Sequence, residues 1–323
     1  MYKVKIYQSI FKKYYYWYLV RSLYVLSKQR KIQLEIIEKN SNTKTNHYEI
    51  IYVDDFPLVI DIADGAYLPP RKLLNYSDFR LLKSNLSIEN RPYNWYSDLE
   101  NKIKPYIIGR IFNCGYNLKE FKHFQSHIKS SKYKVVSFAG SGCKALETKN
   151  RLKIFDLFKE IFQDKCLLVF RDREHFSKEE KAKFPEWNNY FKKYGKSWQW
   201  HKKNHFGSYA YYLGMLSEGE FSINTPGIGK SQPFRCVDAI LANRCIISTK
   251  IYVDIYKTFP CVKLPIDGYL NSELEDYEKA KKILRNIGQV NQQELKQKQL
   301  DWYSWYLSPE GMFKNQILKA LEK

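Results

Sequence analysis

Between residues 134 and 170 the chain reads as strand, helix, strand, and no other stretch limits its architecture as strongly. Residues 134–138 form a β-branched and aromatic run ended by Ala139-Gly140-Ser141-Gly142, 149–162 carry helical periodicity, and 166–170 are an apolar strand. A βαβ unit of this kind belongs in a parallel sheet with helices on its faces. The pattern continues with a helix over 209–216, a strand over 221–223, a glycine loop over 225–230, a helix over 233–242 and a strand over 245–248. Alternation of this sort predicts an α/β fold.

The first half carries its own set. Strands are predicted at 2–7, 32–37, 47–53 and 58–62, a helix at 9–28, and a turn at Asp54-Asp55-Phe56-Pro57, with short strand candidates at 76–82 and 105–111. The polar, basic stretch 118–132 reads as the end of one unit and places a domain joint near Ser130. The tail, 272–286 and 291–323, is helical with a break at Ser308-Pro309.

The 323 residues suit two domains, and a 44% apolar, 16% aromatic composition rules out intrinsic disorder. With 54 Lys and Arg against 34 Asp and Glu, the net charge of +20 points to polyanions, anionic membrane surfaces or phosphorylated ligands. The six cysteines lie far apart with no CxxC pair, which indicates neither a zinc site nor a disulfide framework, and a reducing compartment follows. Lys12, Lys13 and Arg21 interrupt the aromatic N-terminal stretch, so it is neither a membrane span nor a signal peptide. Residues 1–53 hold ten Lys/Arg and three Asp/Glu among many aromatics. That composition suits an interfacial surface or a nucleic-acid groove, and equally an amphipathic helix whose lysines snorkel over a core.

The chemistry is concentrated in the strand, loop and helix from Phe221 to Ile240. Gly227 and Gly229 let the backbone approach a phosphate, Lys230 adds a cation, Ser231 can cap the helix and Pro233 suits its first turn. Arg235 and Asp238, at i and i+3, share a helical face, so a guanidinium could meet phosphate oxygens while a carboxylate accepts from ribose hydroxyls. The alternatives are a plain turn and a surface ion pair. No GxxxxGK[ST] is present, and GxG without a third glycine is a weak dinucleotide signature.

The segment 209–248, above all Phe234-Arg235-Cys236-Val237-Asp238-Ala239-Ile240 followed by Cys245-Ile246-Ile247, resembles the donor-site region of exostosin-like glycosyltransferases of the GT-B class. Val135-Val136-Ser137-Phe138-Ala139-Gly140 resembles the strand that opens that family's nucleotide-binding domain, with Arg151 beginning the helix after it. Asp238 stands where the family has Glu, Asn243-Arg244 replaces a single Gly, and no Golgi-type anchor precedes the domain. The resemblance implies a GT-B fold, α/β with two Rossmann-like domains facing a central cleft. Residues 1–130 would bind the acceptor, 131–306 the nucleotide sugar, and a helix near 307–323 would pack back on the first domain.

It further implies an inverting, metal-independent transfer from a UDP- or GDP-sugar to a glycan or lipid-linked acceptor, with no cofactor. Asp238 would take the ribose, Arg235 the diphosphate, and Ser231 and Gly229 would lie against the same phosphates. The expected location is cytoplasmic, peripheral on an anionic membrane face, with the basic aromatic N-terminus receiving the lipid-linked acceptor.

In the first half, Leu58-Val-Ile-Asp61-Ile-Ala-Asp64-Gly65 is an apolar strand ending in carboxylates and a glycine, and ligands collect beyond strand carboxyl ends in open α/β sheets. Asp64 is the candidate general base, the alternative being an Asx turn. Asp61 is either a partner that raises the pKa of Asp64 or a buried, hydrogen-bonded acid. Asp54-Asp55 reads as a structural turn rather than a metal pair. Arg171, closing the 166–170 strand, is a candidate phosphate ligand, ahead of Arg80, Lys83 and Arg110, for which a solvated surface is expected. Trp198, Trp200, His201 and His205 could stack on a sugar or base, or be core. Trp302, Tyr303, Trp305 and Tyr306 are expected as one buried seam. The rival readings are a nucleic-acid-binding protein using the +20 charge with 7 Trp, 27 Tyr and 19 Phe, and a non-catalytic sugar-binding relic of the same fold.

Overall fold

The computed structural model describes residues 1–38, 47–63, 68–69, 78–87, 95–107, 114–128, 134–141, 145–171, 179, 182, 185–196, 209–227, 233, 235–267 and 272–322, and these build two six-stranded sheets. In the first, β1 (Tyr2–Tyr7), β2 (Ile32–Ile37), β3 (Tyr48–Val53), β4 (Phe56–Asp61), β5 (Arg80–Ser84) and β6 (Ile103–Tyr106) lie in the order β2-β1-β3-β4-β5-β6. Only β3 is antiparallel to its neighbours, so the remaining strands direct their carboxyl ends to one edge.

The β3–β4 hairpin turns on Asp54 and Asp55, whose φ of 48° and 66° match a two-residue connection with both residues in the left-handed region. Asp54 Oδ1 accepts from the Lys3 amide at 2.7 Å and Asp55 pairs with Lys5 at 2.5 Å, so both acids are structural. Phe56 and Pro57, expected within the turn, belong to β4.

The helix expected over 9–28 is in fact two 3₁₀ turns, Gln8–Lys12 and Tyr14–Tyr16, followed by α1 (Trp17–Lys28). The interruption has a cause. Lys13 is extended between the two turns because its ammonium reaches into the sheet, 2.8 Å from Glu49 and 3.0 Å from the Tyr48 carbonyl. A buried carboxylate without that cation would be strongly destabilising.

The second sheet contains β7 (Lys134–Ser141), β8 (Cys166–Arg171), β9 (Gly195–Lys196), β10 (Gly219–Asn224), β11 (Cys245–Ser248) and β12 (Val262–Lys263), all parallel, in the order β12-β11-β10-β7-β8-β9. Counted within this half, that is 6-5-4-1-2-3, the Rossmann order, with its switch point between β7 and β10. On one face α3 (Ala145–Phe162) and α7 (Leu274–Arg285) bury Phe155, Phe158 and Leu284 against Phe138 and Phe221. Between them in sequence lie α4 (Trp187–Tyr194), α5 (Tyr209–Ser217) and α6 (Arg235–Leu241). The apolar residues of α5 and α6 join a core that runs on into the first half, where α2 (Leu118–His127) contributes Phe121. The expected joint near Ser130 lies outside the described residues.

The C-terminal α8 (Gln292–Tyr306) breaks at Ser308, which caps α9 (Pro309–Met312), and a π-helical stretch Phe313–Leu318 follows. This return docks on the first half: the Gly115 amide donates to the Leu307 carbonyl, the Ile107 amide to Gln316 Oε1 at 2.8 Å, and Lys31 pairs with Glu310. Trp302 and Tyr303 are buried, whereas Trp305 is 56% exposed and leaves the expected seam. At 100° per residue it falls outside the arc that Gln299, Trp302, Tyr303 and Tyr306 share. Among the described residues no helix is long and apolar enough to cross a membrane.

The two carboxyl edges meet. Leu86, just past β5, accepts at 3.0 Å from the amide of Asp254, six residues past β11, so the segments that leave the carboxyl edges of the two sheets are in direct contact.

Candidate active site

On the second sheet the site is built at the switch point. β7 delivers Phe138, Ala139 and Gly140 there, and the helix after β10 delivers Arg235. The buried Arg235 side chain lies along β7: Nε donates to the Ala139 carbonyl at 3.1 Å and Cζ stands 4.1 Å from the centre of the Phe138 ring. Carbonyl and ring face both favour a cation, so the guanidinium is held in one place before any ligand arrives. It needs the bare backbone of Gly140, where a Cβ would come closer than 3.0 Å to Nη2.

Asp238, one turn on, is completely buried. Oδ1 accepts from Tyr209 at 2.7 Å and Oδ2 from Tyr212 at 3.0 Å. Tyr209 and Tyr212 are themselves i and i+3 on α5, so two successive helices are clamped through one carboxylate. The direct ribose contact expected of Asp238 would have to compete with both hydroxyls.

Around them the strand ends are polar and closed. Asn224 donates to Ser248 at 3.0 Å, tying β10 to β11, and Arg151 Nη2 donates at 3.0 Å to the Pro226 carbonyl, tying α3 to the loop after β10. Among the described residues, the buried Thr225 hydroxyl and both amide atoms of buried Asn150 have no hydrogen-bond partner, which is uncommon for buried polar groups. Sequence reasoning passed over Asn150, Asn224 and Thr225; for Asn224 and Thr225 the available signal was polar residues at an apolar strand end, whereas Asn150 lies within α3 and had no local signal. Gly227 is buried in the same loop. Gly229, Lys230 and Ser231 lie outside the described residues, and Arg171 is placed by its backbone at the end of β8, paired with Ser141.

On the first sheet, Asp61 ends β4 and Lys83 faces it in register on β5. Both are fully buried, with 3.2 Å between Oδ2 and Nζ. Asp61 Oδ1 accepts from the Ala63 amide at 2.8 Å, while Lys83 at 2.7 Å and Ser84 at 3.1 Å both donate to the Ala63 carbonyl. Burial pushes the Asp61 carboxyl up to about 6, with the Lys83 charge opposing that rise. Asp61 is therefore the buried, hydrogen-bonded acid of its two readings, and Lys83, expected on the surface, is instead its interior partner. Arg80 pairs with Asp78 at 3.1 Å. Asp64, Arg110, Trp198, Trp200, His201 and His205 lie outside the described residues.

No family model matches this chain, and no curated protein does. Among solved structures it is similar to an apo structure of OtsA, at 8% identity and a TM-score of 0.47 over 69% of this chain and 52% of that one. It is also similar to the E. coli trehalose-6-phosphate structure bound with UDP-2-fluoro glucose, at 8% identity and a TM-score of 0.45 over 69% and 52%. A third is Anabaena HepE in complex with UDP and glucose, at 11% identity and a TM-score of 0.41 over 68% and 56%. The chain thus spans about half the length of these solved structures.

Proposed function

We propose that this protein is a GT-B glycosyltransferase that moves a sugar from a UDP- or GDP-sugar to a glycan or lipid-linked acceptor, with an exostosin-like donor region. The observation that carries the reading is Arg235, fixed across Gly140 at the switch point of a Rossmann-ordered sheet, on the helix whose sequence bears the resemblance. A preformed cation at that crevice suits a diphosphate, and titrated phosphate oxygens match a guanidinium's planar donors.

In the proposed reaction the acceptor oxygen attacks the anomeric carbon as the bond to the diphosphate breaks, and the electron pair leaves with the diphosphate. Arg235 stabilises that departing charge, with Arg171, Lys230 and the amides near Gly227 and Gly229 as further donors. The acceptor proton passes to a carboxylate, for which Asp64, three residues beyond Asp61, keeps its assignment from the sequence. Asp238 acts as a positioning residue, holding α5 and α6 together so that Arg235 stays over Gly140. No bound metal is invoked in this scheme.

The test is equilibrium binding of UDP, GDP, CMP and a short oligonucleotide in magnesium-free buffer at physiological salt, for wild type and Arg235→Met. Saturable binding of one diphosphate, weakened at least tenfold in the variant, is expected. Binding of the oligonucleotide alone, unchanged by the substitution, would sink the proposal and favour a nucleic-acid-binding protein.

A further inference from the structure

The segment that breaks the expected N-terminal helix has two opposite faces. A 3₁₀ turn repeats every three residues, so side chains at i and i+3 stand one above another. Ile10, Lys13 and Tyr16 fall on the inner line and are buried. Lys13 reaches Glu49, and the Tyr16 hydroxyl donates at 2.9 Å to the carbonyls of His47 and Ile60, the latter next to Asp61. Phe11, Tyr14 and Trp17 form the outer line with Tyr15 beside them, and all four are exposed, at 40, 46, 37 and 48% respectively.

This outer line is an organised ridge. Tyr14 meets Trp17 at 5.2 Å and Tyr15 at 5.6 Å between ring centres, and the Trp17 indole donates to the Phe11 carbonyl at 2.8 Å. It continues along α1, where Trp17, Arg21, Tyr24 and Lys28 follow at steps of four, three and four, so aromatic and basic residues alternate along that face. Tyr24 is 55% exposed, with Lys28 Nζ 5.2 Å from its ring centre. No Asp or Glu occurs before Glu35. Pinned tyrosine and tryptophan rings with polar tips, flanked by cations, have the chemistry of a membrane interface, and a segment that itself carries no carboxylate complements anionic headgroups.

We propose that the ridge from Phe11 to Trp17, with the outer face of α1, is a docking surface for an anionic lipid bilayer. The rings enter the headgroup region while Lys12 and Lys28 meet the lipid phosphates. Because the same 3₁₀ turns are anchored inside to the strand ends beside Asp61, docking would hold the carboxyl edge of the first sheet near the bilayer. The inference stands independently of the donor site and of the reaction proposed above.

The test is co-sedimentation of the full chain with vesicles of 30% phosphatidylglycerol in phosphatidylcholine, and of phosphatidylcholine alone, at physiological salt. Two variants accompany wild type: Phe11→Ser/Tyr14→Ser/Tyr15→Ser, which leaves the buried line untouched, and Lys12→Glu/Lys28→Glu. Circular dichroism confirms folding, and a short oligonucleotide is titrated in parallel. Wild type should partition onto the anionic vesicles only, with each variant at least tenfold weaker. The proposal is overturned if wild type stays in the supernatant or binds both vesicle types equally. It is overturned as well if the folded aromatic variant sediments like wild type, or if the ridge substitutions weaken oligonucleotide binding and leave vesicle binding unchanged.

Discussion

Asp61 and Lys83 are register partners on adjacent parallel strands, and their side chains meet 3.2 Å apart with no exposure to solvent. An ion pair so placed gains Coulomb energy that its desolvation largely cancels, and the Ala63 peptide offsets the difference by accepting from Lys83 and donating to Asp61. The pair thereby fixes the chain just before Asp64, the proposed base.

The Asp61 carboxyl, raised from an ordinary 3.8 to about 6, links this pair to pH. Between about pH 4 and 6 the folded chain holds a proton that the unfolded chain releases, so this group's contribution is complete below pH 4 and is lost as pH rises through 6. The wild-type minus Asp61→Asn difference in unfolding free energy should fall by about 3 kcal/mol across that window, as two pKa units require. Urea melts from pH 3.5 to 7.5 measure it. Lys83→Met removes the opposing charge and should move the Asp61 carboxyl resonance to titrate above its wild-type midpoint.

Asp238 makes a different kind of prediction. Its two oxygens each hold a tyrosine hydroxyl, at 2.7 and 3.0 Å, and hydrogen bonds to a charged acceptor contribute roughly 1.5–3 kcal/mol apiece. Tyr209→Phe and Tyr212→Phe should each cost about 2 kcal/mol in wild type and almost nothing once Asp238→Ala is present. A double-mutant cycle by urea denaturation measures that coupling; additive losses would mean the clamp does not operate.

The parallel half of the fold was legible because its strands contain short apolar runs, those of β7 and β10 with glycines at or near their ends, alternating with helical segments; β7, β8, β10 and β11 fall within three residues of their expected bounds. The N-terminal helix misled because periodicity registers apolar spacing, and Ile10, Tyr16 and Leu19 fit a helix as well as they fit 3₁₀ turns. What decides between them is the pull of Glu49 on Lys13 across 36 residues, a long-range ion pair with no local signature. The same holds for Lys83, whose burial depends on a register partner 22 residues away. In the site, Arg235 and Asp238 were visible as functional residue types on one helical face. Their actual partners, Ala139, Phe138, Tyr209 and Tyr212, come from two other elements and were beyond local inspection.

The C-terminal return is tested through Gln316. Its Oε1 accepts from the Ile107 amide at 2.8 Å and its Nε2 donates to the Tyr306 carbonyl at 2.6 Å, joining the last helical segment to the end of the first sheet and to α8 at once. Gln316→Leu keeps the volume but leaves a buried amide and a carbonyl without partners, at about 1–3 kcal/mol each. A lowered urea midpoint with an unchanged m-value is the expected outcome, and hydrogen exchange at Ile107 should quicken.

Two glycines separate the local demands of the site from those of the fold. At Gly219 an added Cβ would lie 2.5 Å from the Ser137 amide nitrogen and 2.6 Å from the Val136 carbonyl carbon, both backbone atoms of the central strand, so Gly219→Ala must part β10 from β7. At Gly140 the nearest atom is the tip of Arg235, which can swing away, and the Phe138 ring edge at 3.0 Å need shift only slightly. Gly140→Ala should therefore cost about 1 kcal/mol of stability, in the range of a mild overpacking, while dislodging the guanidinium from its seat on Ala139 and Phe138. The expected pattern is a tenfold or greater loss of diphosphate binding in Gly140→Ala with a near-normal melt, against a grossly destabilised Gly219→Ala. Normal diphosphate affinity in folded Gly140→Ala would show that the seat of Arg235 plays no part in holding the donor.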